Sequence, residues 1–529
     1  MTNGLLLWAD DEIEHLKAHV MFLQKKGYEV VTVSNGHDAI KQCETRTFDL
    51  VLLDEMMPGL SGLETLQRIK SVQPQVPVVM VTKSEEEDIM NQAIGKNIAD
   101  YLIKPVNPNQ ILLSLKKNIH QKAIVAEVTQ SDYQQNFQQI AMKIDDSRNW
   151  NDWIEVYKML VHWELELSQL PTADTPLLDS LVMQKEDANI RFAKFIKKNY
   201  ETWMDEISSP KPRSENRPIL STEVMKTAVF PHIDAGEKVF LLVFDNFRYD
   251  QWRLLAKEIG DMFDIDEQLY YSILPTPTQY ARNAIFSGLM PDGIAKMFPD
   301  LWVDEDEEEG KNLNEEPLVR TQIERYRRKD SFSYTKINDS ASAEKFMAKF
   351  NEIQNKDLNV VVFNFIDILS HARTESKTVR ELAKDEKAYR SITMSWFRHS
   401  VVYDIFKMLS SSDYRIVVTT DHGSIRVNKP VKIIGERNTN TNLRYKIGRN
   451  LGFDAKDLFV IKDPRRVHLP QPNVSTNYVF AQGNQFFAYP NNYNYYVQYY
   501  RDTFQHGGIS MEEIIIPLVT LKPRKEKWN

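Results

Sequence analysis

Cysteine is nearly absent from this chain of 529 residues, which limits the sites and cross-links it can have. Its one cysteine, Cys43, allows no internal disulfide and no cysteine-based zinc site. No apolar run approaches eighteen residues, so a helix that spans a membrane is not expected. The first residues, MTNGLLLWADDE, turn acidic after one short apolar run, unlike a signal peptide. These absences together predict a cytoplasmic protein.

An excess of positive charge is also lacking. The chain has 66 Lys and Arg against 74 Asp and Glu, a net charge of -8, which does not favour a basic surface that coats nucleic acid. Hydrophobic residues make up 42% and charged residues 26%, as in ordinary globular proteins. The length is too great for one hydrophobic core, so we expect about three domains.

The pattern of apolar residues divides the chain and predicts an α/β multidomain fold. From 1 to 120, five short apolar runs alternate with amphipathic stretches, which predicts a five-stranded parallel sheet covered by helices, a (βα)5 domain. From 121 to 207 the periodicity is helical throughout, which predicts a central helical bundle. The segment 208–218 is rich in proline and charge and predicts a linker. From 219 to 529 strands and helices alternate again, and within this part the acidic run at 304–310 predicts a solvated loop.

Polar residues of complementary kinds follow the strands of the first domain. Asp10 and Asp11 end the first strand, Asp54 the third, Thr82 the fourth and Lys104 the fifth. The carboxyl ends of parallel strands meet at one edge of a sheet, where ligands bind. Three clustered carboxylates suit Mg²⁺. One of them could then attack a phosphoryl donor, while the lysine balances the charge of the product.

Residues 4–120 resemble the response regulator receiver domain, on the motifs ADDE, LLDEMMPGLSG, VTKS and YLIKP. The resemblance implies that Asp54 is phosphorylated by a sensor histidine kinase. The other implied residues are the Mg²⁺ ligands Asp10, Asp11 and Asp54, the switch pair Thr82 and Tyr101, and Lys104 before a cis Pro105. A doubly wound domain with ordinary acidic strand ends is the alternative.

The last domain places Asp and His residues where its predicted strands end. In YRIVVTTDHGS a turn would need Asp or Gly, but it has no need of the histidine. Similar endings occur in KVFLLVFDNFRYD, NVVVFNFIDILSHAR and FQHGGIS. The residues concerned are Asp245, Asp367, His371, Asp421, His422 and His506. Each alone could be a capping Asp or a core His, but the whole chain has only 11 His.

Asp and His ligands without Cys suit Zn²⁺ or another divalent transition ion. Six such ligands are more than one tetrahedral site needs, which indicates a site for two metal ions. Two neighbouring ions can hold the attacking and leaving oxygens of a phosphoryl group. The stretch YSILPTPTQYARNAIFSGLMP supplies two candidate nucleophiles, Thr276 and Thr278, before an amphipathic helix that ends at Gly288. A hydroxyl at a helix N-terminus lies in a positive field that favours an alkoxide and a phosphate.

Residues 219–529 resemble the PglZ branch of the alkaline phosphatase superfamily. The resemblance implies two zinc ions, one bound by Asp367, His371 and His506, the other by Asp245, Thr278, Asp421 and His422. In related members ten residues separate the nucleophile from the glycine that ends the helix. Counting back from Gly288 gives Thr278.

A threonine nucleophile resembles the nucleotide diesterases of that superfamily, and Gln279 follows it where the monoesterases have arginine. The resemblance therefore implies a phosphodiesterase that acts on oligonucleotides or cyclic nucleotides. The tyrosines of YPNNYNYYVQYYRDTFQH could stack bases or form a half-buried helix face. Arg248, Arg282 and Arg373 are candidate phosphate contacts. A phosphomonoesterase and a non-enzymatic, phosphorylation-switched scaffold remain the alternatives.

The order of the three domains resembles response regulators associated with type IX secretion. This resemblance implies a secretion-machinery or transcription partner. Receivers also commonly pair when phosphorylated, and two-fold pairs are the commonest oligomers, so we expect a phosphorylation-promoted homodimer.

Overall fold

The computed structural model describes residues 3–83, 98–170, 176–209, 211–304, 312–435, 439–453 and 458–524. The chain divides into two compact units, one of Met1–Tyr133 with Leu170–Thr172 and one of Gln134–Gln169 with Ala173–Asn529. Most of the predicted acidic loop, 305–310, lies outside the described residues, as do position 210 of the predicted linker and the segment 84–97. No helix among the described residues is long and apolar enough to cross a membrane.

The first unit contains the predicted five-stranded parallel sheet, in the order β2-β1-β3-β4-β5. Its strands are β1 (Gly4–Ala9), β2 (Tyr28–Val33), β3 (Leu50–Asp54), β4 (Val78–Thr82) and β5 (Asp100–Ile103). Alternate side chains enter two separate cores: Leu6 and Trp8 belong to one, Leu7 and Ala9 to the other. Burial on both faces explains why these strands read as continuous apolar runs.

Helices connect these strands. They are Lys17–Lys25, preceded by the 3-10 turn Ile13–Leu16, and then Gly36–Thr45, Gly62–Val72 and Pro108–Leu115. The last continues through a π-helical turn, Lys116–His120, into a helix of 26 residues, Gln121–Asp146.

The segment predicted as a bundle is helical, with no strand among its described residues. After Gln121–Asp146 come Trp150–Ser168 and the 32-residue Pro176–Ile207, which we call the middle helix. Most of this segment belongs to the same compact unit as the C-terminal sheet. The reason is a shared aromatic core, because Phe192 and Trp203 of the middle helix contact Tyr271 of the C-terminal part.

The C-terminal part is built on a six-stranded mixed sheet, in the order β7-β18-β10-β6-β9-β8. Its strands are β6 (Val239–Phe244), β7 (Phe263–Tyr271), β8 (Phe332–Ile337), β9 (Leu358–Phe363), β10 (Arg415–Thr419) and β18 (Ile515–Pro523). The strands β10, β6, β9 and β8 are parallel, and β18 is antiparallel to β10 and β7. The carboxyl ends of β6, β9 and β10 therefore point to one edge, where the metal-ligand candidates lie.

Shorter elements complete this part. The helices are Phe230–Asp234, Tyr249–Ile259, Thr278–Ser287, Pro291–Met297, Glu315–Arg325, Ser340–Ile353, Phe365–Glu375, Lys377–Leu382, Glu386–His399, Val401–Ser410, Tyr493–Tyr500 and Met511–Ile514. The 3-10 and π turns are Ser221–Glu223, Met225–Val229, Pro299–Leu301 and Pro464–Val467. The small sheets are β11 (Ile425–Arg426) with β17 (Phe504–Gln505), β12 (Lys429–Lys432) with β16 (Gln485–Ala488), and β13 (Tyr445–Gly448), β15 (Asn477–Phe480) and β14 (Phe459–Ile461).

Candidate metal centre and phosphorylation site

Two neighbouring parallel strands deliver the first group of metal-ligand candidates. Asp245 directly follows β6, while Asp421 and His422 follow β10, its partner in the sheet. All three residues are buried. The Nε2 atom of His422 lies 3.7 Å from Asp245 Oδ1 and 3.9 Å from Asp421 Oδ2. The three side chains therefore offer ligand atoms around one point, close enough to hold a single ion.

The second group comes from a helix and a loop. Asp367 and His371 lie one turn apart on Phe365–Glu375, the helix after β9, rather than at the strand end itself. Residues four apart share one face of a helix, so both side chains reach the same point. Asp367 Oδ2 lies 3.4 Å from His371 Nε2, and Asp367 Oδ1 lies 3.6 Å from the Nε2 atom of His506, which follows β17.

The two groups are adjacent, and together with Thr278 we call them the metal centre. The rings of His422 and His506 stack with their centroids 4.1 Å apart. Asn246, which we did not identify from the sequence, also joins them: its Nδ2 donates to Asp367 Oδ1 at 3.2 Å, and its N–H donates to Asp421 Oδ1 at 3.4 Å. Its φ of 62° is a conformation that asparagine tolerates better than most residues. An asparagine directly after the aspartate that ends a strand is therefore the sequence signal that could have identified this residue.

Thr278 begins the Thr278–Ser287 helix beside the first group. Its hydroxyl donates to Asp245 Oδ1 at 3.2 Å and lies 3.3 Å from His422 Nε2. Thr276 Oγ1 is also buried, yet it has no hydrogen-bond partner among the described residues. The helix ends at Gly288 as expected, in the left-handed conformation, and all ten of its residues are buried, so its polar face does not lie against solvent.

Of the three candidate arginines, Arg282 reaches the metal centre. One of its guanidinium nitrogens lies 2.8 Å from Asp245 Oδ2, and its Nε donates to Glu315 Oε1 at 2.7 Å. Arg248 instead pairs with Asp250 and Glu386, each at 2.7 Å. Arg373 donates to backbone carbonyls, among them that of Ala383. Both of these arginines are buried against partners outside the metal centre, so their contact with phosphate stays a prediction.

Burial shifts the pKa values of two residues of the metal centre. It raises the pKa of Asp245 to about 7, although Arg282 acts in the opposite direction. Burial also holds the pKa of His506 well below the usual value of a histidine. The exposed His371 differs, because its hydrogen bond with Asp367 raises its pKa. A centre of buried carboxylates is the environment in which a bound cation offsets the cost of desolvation.

The donor set fits zinc. The Oδ2 atom of Asp421 is buried without a hydrogen-bond partner among the described residues. Buried polar atoms are rarely left unpaired unless an ion or a water satisfies them. Histidine nitrogens and carboxylate oxygens without thiolates are ligands that Zn²⁺ accepts.

The carboxylates of the first unit also cluster as expected. Asp10 and Asp54 are buried, and the Nζ atom of Lys104 lies 2.8 Å from Asp10 Oδ2 and 3.0 Å from Asp54 Oδ2. The exposed Asp11 completes a group whose oxygen atoms could hold one ion. Burial raises the pKa of Asp54 to about 6, although Lys104 opposes it. A side chain at Gly62 would collide with the backbone of Asp54, at 2.5 Å, which explains the glycine of the motif.

The expected switch residues lie next to this cluster. Thr82 is buried at the end of β4, next to Tyr101 in the paired strand β5. The Lys104–Pro105 peptide bond is cis, as predicted. The helix expected between β4 and β5, part of the surface through which receivers pair, falls in 84–97, outside the described residues.

A fourth acidic group is not a metal site. Glu164, Asp250 and Glu386 approach one another, but cationic side chains already lie between them. Arg390 contacts Glu164 at 2.6 Å and Asp250 at 3.0 Å, and Arg248 bridges Asp250 and Glu386. The group is a buried ion-pair network.

Three protein families match successive parts of the chain. Residues 6–116 match the response regulator receiver domain, residues 123–204 the PorX response regulator linker domain, and residues 224–521 the PglZ alkaline phosphatase-like domain of BREX systems. The expected resemblance to response regulators that carry a PglZ domain is thereby confirmed.

Two curated regulators each match about a quarter of the chain. The transcriptional regulatory protein ZraR of Klebsiella oxytoca is 33% identical over 24% of the chain and 29% of its own length. The alkaline phosphatase synthesis regulator PhoP of Bacillus subtilis is 31% identical over 23% of the chain and 52% of its own length. Among solved structures, a response regulator receiver domain protein from Clostridium thermocellum is 28% identical. The match covers 23% of this chain and 98% of that protein, with a TM-score of 0.22. The chain thus spans only part of these two regulators.

Proposed function

The chain belongs to the PglZ family of alkaline phosphatase-like domains, and we propose that it is a phosphorylation-regulated, zinc-dependent phosphodiesterase that acts on oligonucleotides or cyclic nucleotides. One observation carries the proposal. A hydroxyl at a helix N-terminus, that of Thr278, lies within hydrogen-bond distance of Asp245 and His422, with a second Asp/His group beside them. A purely structural metal site has no use for such a hydroxyl.

The residues of the centre divide into two ligand sets. Asp245, Asp421 and His422, together with the hydroxyl oxygen of Thr278, would hold one zinc ion. Asp367, His371 and His506 would hold the other. When bound, the two ions would supply Lewis-acid stabilisation of the oxygens that enter and leave phosphorus. Asn246 would hold the two sets in register through its hydrogen bonds to a carboxylate of each.

Thr278 would act as the nucleophile. Its Oγ1 would attack phosphorus and give its proton to Asp245 Oδ1, 3.2 Å away, while the bond from phosphorus to the leaving ester oxygen breaks and that oxygen takes up the proton. A water molecule would then attack phosphorus, the bond from phosphorus to Oγ1 would break, and a proton of that water would restore the threonine hydroxyl. The N-terminus of the Thr278–Ser287 helix favours the negative charge that develops on the phosphoryl oxygens.

The charge around Thr278 supports a diester substrate. Gln279, the next residue, donates to the carbonyl of Val303 at 2.6 Å and so brings no positive charge. The charge of Arg282 is already balanced by Asp245 and Glu315. A phosphodiester carries one negative charge fewer than a monoester dianion and therefore needs fewer cations at the site.

The receiver would place this activity under a sensor histidine kinase. Asp54 is the proposed phosphorylation site, with Mg²⁺ held by Asp10, Asp11 and Asp54, and with Lys104 against the phosphoryl charge. The match of the middle segment to the PorX linker supports a role in type IX secretion, through a secretion-machinery or transcription partner.

Hydrolysis of a small panel of nucleotides tests the proposal. Zinc-loaded protein should cleave dinucleotides or cyclic nucleotides faster than mononucleotides, and a chelator should abolish the cleavage. Faster cleavage of mononucleotides would instead identify a phosphomonoesterase. If none of the three classes is cleaved by protein that holds its metal, the scaffold function replaces the enzymatic one.

A further inference from the structure

Buried polar contacts join the middle helix to the segment that follows His506. Asn189 Nδ2 donates to Glu512 Oε2 at 3.0 Å, and Asn189 Oδ1 accepts from the N–H of Met511 at 2.8 Å. Lys185, one turn earlier on the helix, lies 3.4 Å from Glu512 Oε1. Asn189 is 3% exposed and Glu512 5%, so these contacts lie almost wholly within the protein.

The same segment packs on the loop that carries His422. The N–H of Gly423 donates to the carbonyl of Glu513 at 3.2 Å. A methyl group at Gly423 would lie 2.1 Å from the carbonyl oxygen of Glu512, so the two backbones are in direct contact. A shift of the 511–513 backbone would therefore move the residue next to His422.

The segment is also fixed to the loop of His506. The carboxylate of Glu513 accepts from the N–H of Gly508 at 2.9 Å and pairs with the buried Arg444 at 2.6 Å. Residues 508–513 thus connect His506, from one ligand set, to His422, from the other. The relative position of the two sets depends on where this segment is held.

Asn189 and Lys185 are anchored in turn by the rest of the helical segment. Lys185 Nζ pairs with Glu164 at 2.5 Å, and Glu164 also pairs with Arg390 at 2.6 Å. Gln184, adjacent to Lys185, donates to the carbonyl of Phe137 in the Gln121–Asp146 helix at 3.0 Å. Buried charges and amides tolerate only arrangements that keep every partner, because an unpaired one costs about 1–3 kcal/mol or more.

We propose that Asn189 and Lys185 are positioning residues for the metal centre, acting through Glu512 and the 508–513 segment. The proposal rests on the proposed function for its catalytic consequence, but not for its effect on metal binding. The middle helix is then part of the active unit rather than a spacer. A displacement of that helix would change the spacing of the two ligand sets.

The variant Asn189→Ala tests this proposal, with Asn199→Ala as the matched control. Asn199 lies on the same helix, and its side chain donates to the carbonyl of Phe195 of that helix. In Asn189→Ala we expect the affinity for zinc, measured by competition with a chromophoric chelator, to fall about tenfold, as for outer residues of metal sites. We expect kcat on a dinucleotide to fall by a similar factor with KM little changed. The control should match the parent protein in both measurements.

A paired substitution separates positioning from simple loss of packing. Asn189→Asp places a carboxylate against Glu512 and should weaken zinc binding, while Asn189→Asp with Glu512→Gln restores the donor and acceptor and should recover it. A lower melting temperature with unchanged zinc affinity in both Asn189→Ala and Asn189→Asp would overturn the proposal. It would also be overturned if the double variant, Asn189→Asp with Glu512→Gln, did not recover the zinc affinity of the parent protein. Chelator competition needs no substrate, so a protein that cleaves no diester but shows these shifts would refute the proposed function alone.

Discussion

Thr276 and Thr278 lie two residues apart, are both buried, and differ in what their hydroxyl groups contact. Thr278 reaches Asp245 and His422, whereas Thr276 has no hydrogen-bond partner among the described residues. A rate comparison can therefore distinguish them. Thr278→Ala should lower kcat for diester hydrolysis on the order of 10³-fold or more, as removal of a nucleophile does elsewhere.

The matched variant Thr276→Ala should change the same rate by less than about tenfold, because no reacting group is lost. Both variants should keep their zinc, measured by metal analysis. A larger loss of rate in Thr276→Ala than in Thr278→Ala would contradict the assignment of the nucleophile.

The arginines show how far sequence alone could locate site residues. Arg282 lies four residues after Thr278 on one helix, so both side chains share a face. Arg373 lies only two residues after His371, which turns it to the opposite side, into the contacts with backbone carbonyls. Both arginines were candidates because each is close in sequence to a residue of the metal centre. The helical repeat places Arg282 on the side of that centre and Arg373 on the other side of its helix. Asp245, Asp421 and His422 were predictable because the strand ends of one sheet converge. Asp367 and His371 lie instead on the helix after β9, and His506 follows β17 of a small sheet.

The Thr278–Ser287 helix shows the limits of periodicity at the scale of elements. Its pattern predicts one polar face, yet Arg282 and Gln279 are buried in specific polar contacts rather than exposed. Periodicity distinguishes polar from apolar residues, but not a solvated polar residue from a buried one with partners. The end of the helix at Gly288 was predictable, because a left-handed residue there favours glycine.

A pair of glycine substitutions tests this helix end. Gly288 has a φ of 62°, and a methyl group there would lie 2.3 Å from the side-chain amide of Gln322, so Gly288→Ala should lower the free energy of unfolding by about 1 kcal/mol or more. Gly293 lies inside the Pro291–Met297 helix, where a methyl group would meet Leu289 at an ordinary 3.6 Å. Gly293→Ala should raise the free energy of unfolding by about 0.4–1 kcal/mol. Denaturant titration measures this free energy for both variants, and changes of the same sign in the two would contradict the argument.

At the scale of the whole molecule, the central helices were predicted to form a bundle by themselves. Most of them instead share a compact unit with the C-terminal sheet. Helical periodicity shows that a face is apolar but not what covers it, and here Phe192 and Trp203 meet Tyr271. The boundaries of the family matches, 123–204 and 224–521, lie close to those predicted from the apolar pattern. Both kinds of boundary come from the sequence and do not report which elements pack together.

Phosphorylation of Asp54 should change the assembly of the molecule. It adds about two negative charges beside Lys104 and Thr82. Thr82 should move toward the phosphoryl group and let the side chain of Tyr101, on the neighbouring strand, rotate inward. We expect sedimentation velocity to show a dimer with beryllofluoride and a monomer without it, while Asp54→Ala stays monomeric in both. An unchanged monomer mass with beryllofluoride bound would remove the dimer from this account.

The metal content of the purified protein tests the central claim most directly, because the six Asp and His residues are proposed to form one two-metal centre. Elemental analysis should find about two zinc ions per chain in the parent protein. In His422→Ala at least one should be lost, while phosphorylation of Asp54 by acetyl phosphate, a receiver function, stays intact. Full zinc occupancy in His422→Ala, or a parent protein that binds no zinc when it is supplied, would contradict the account.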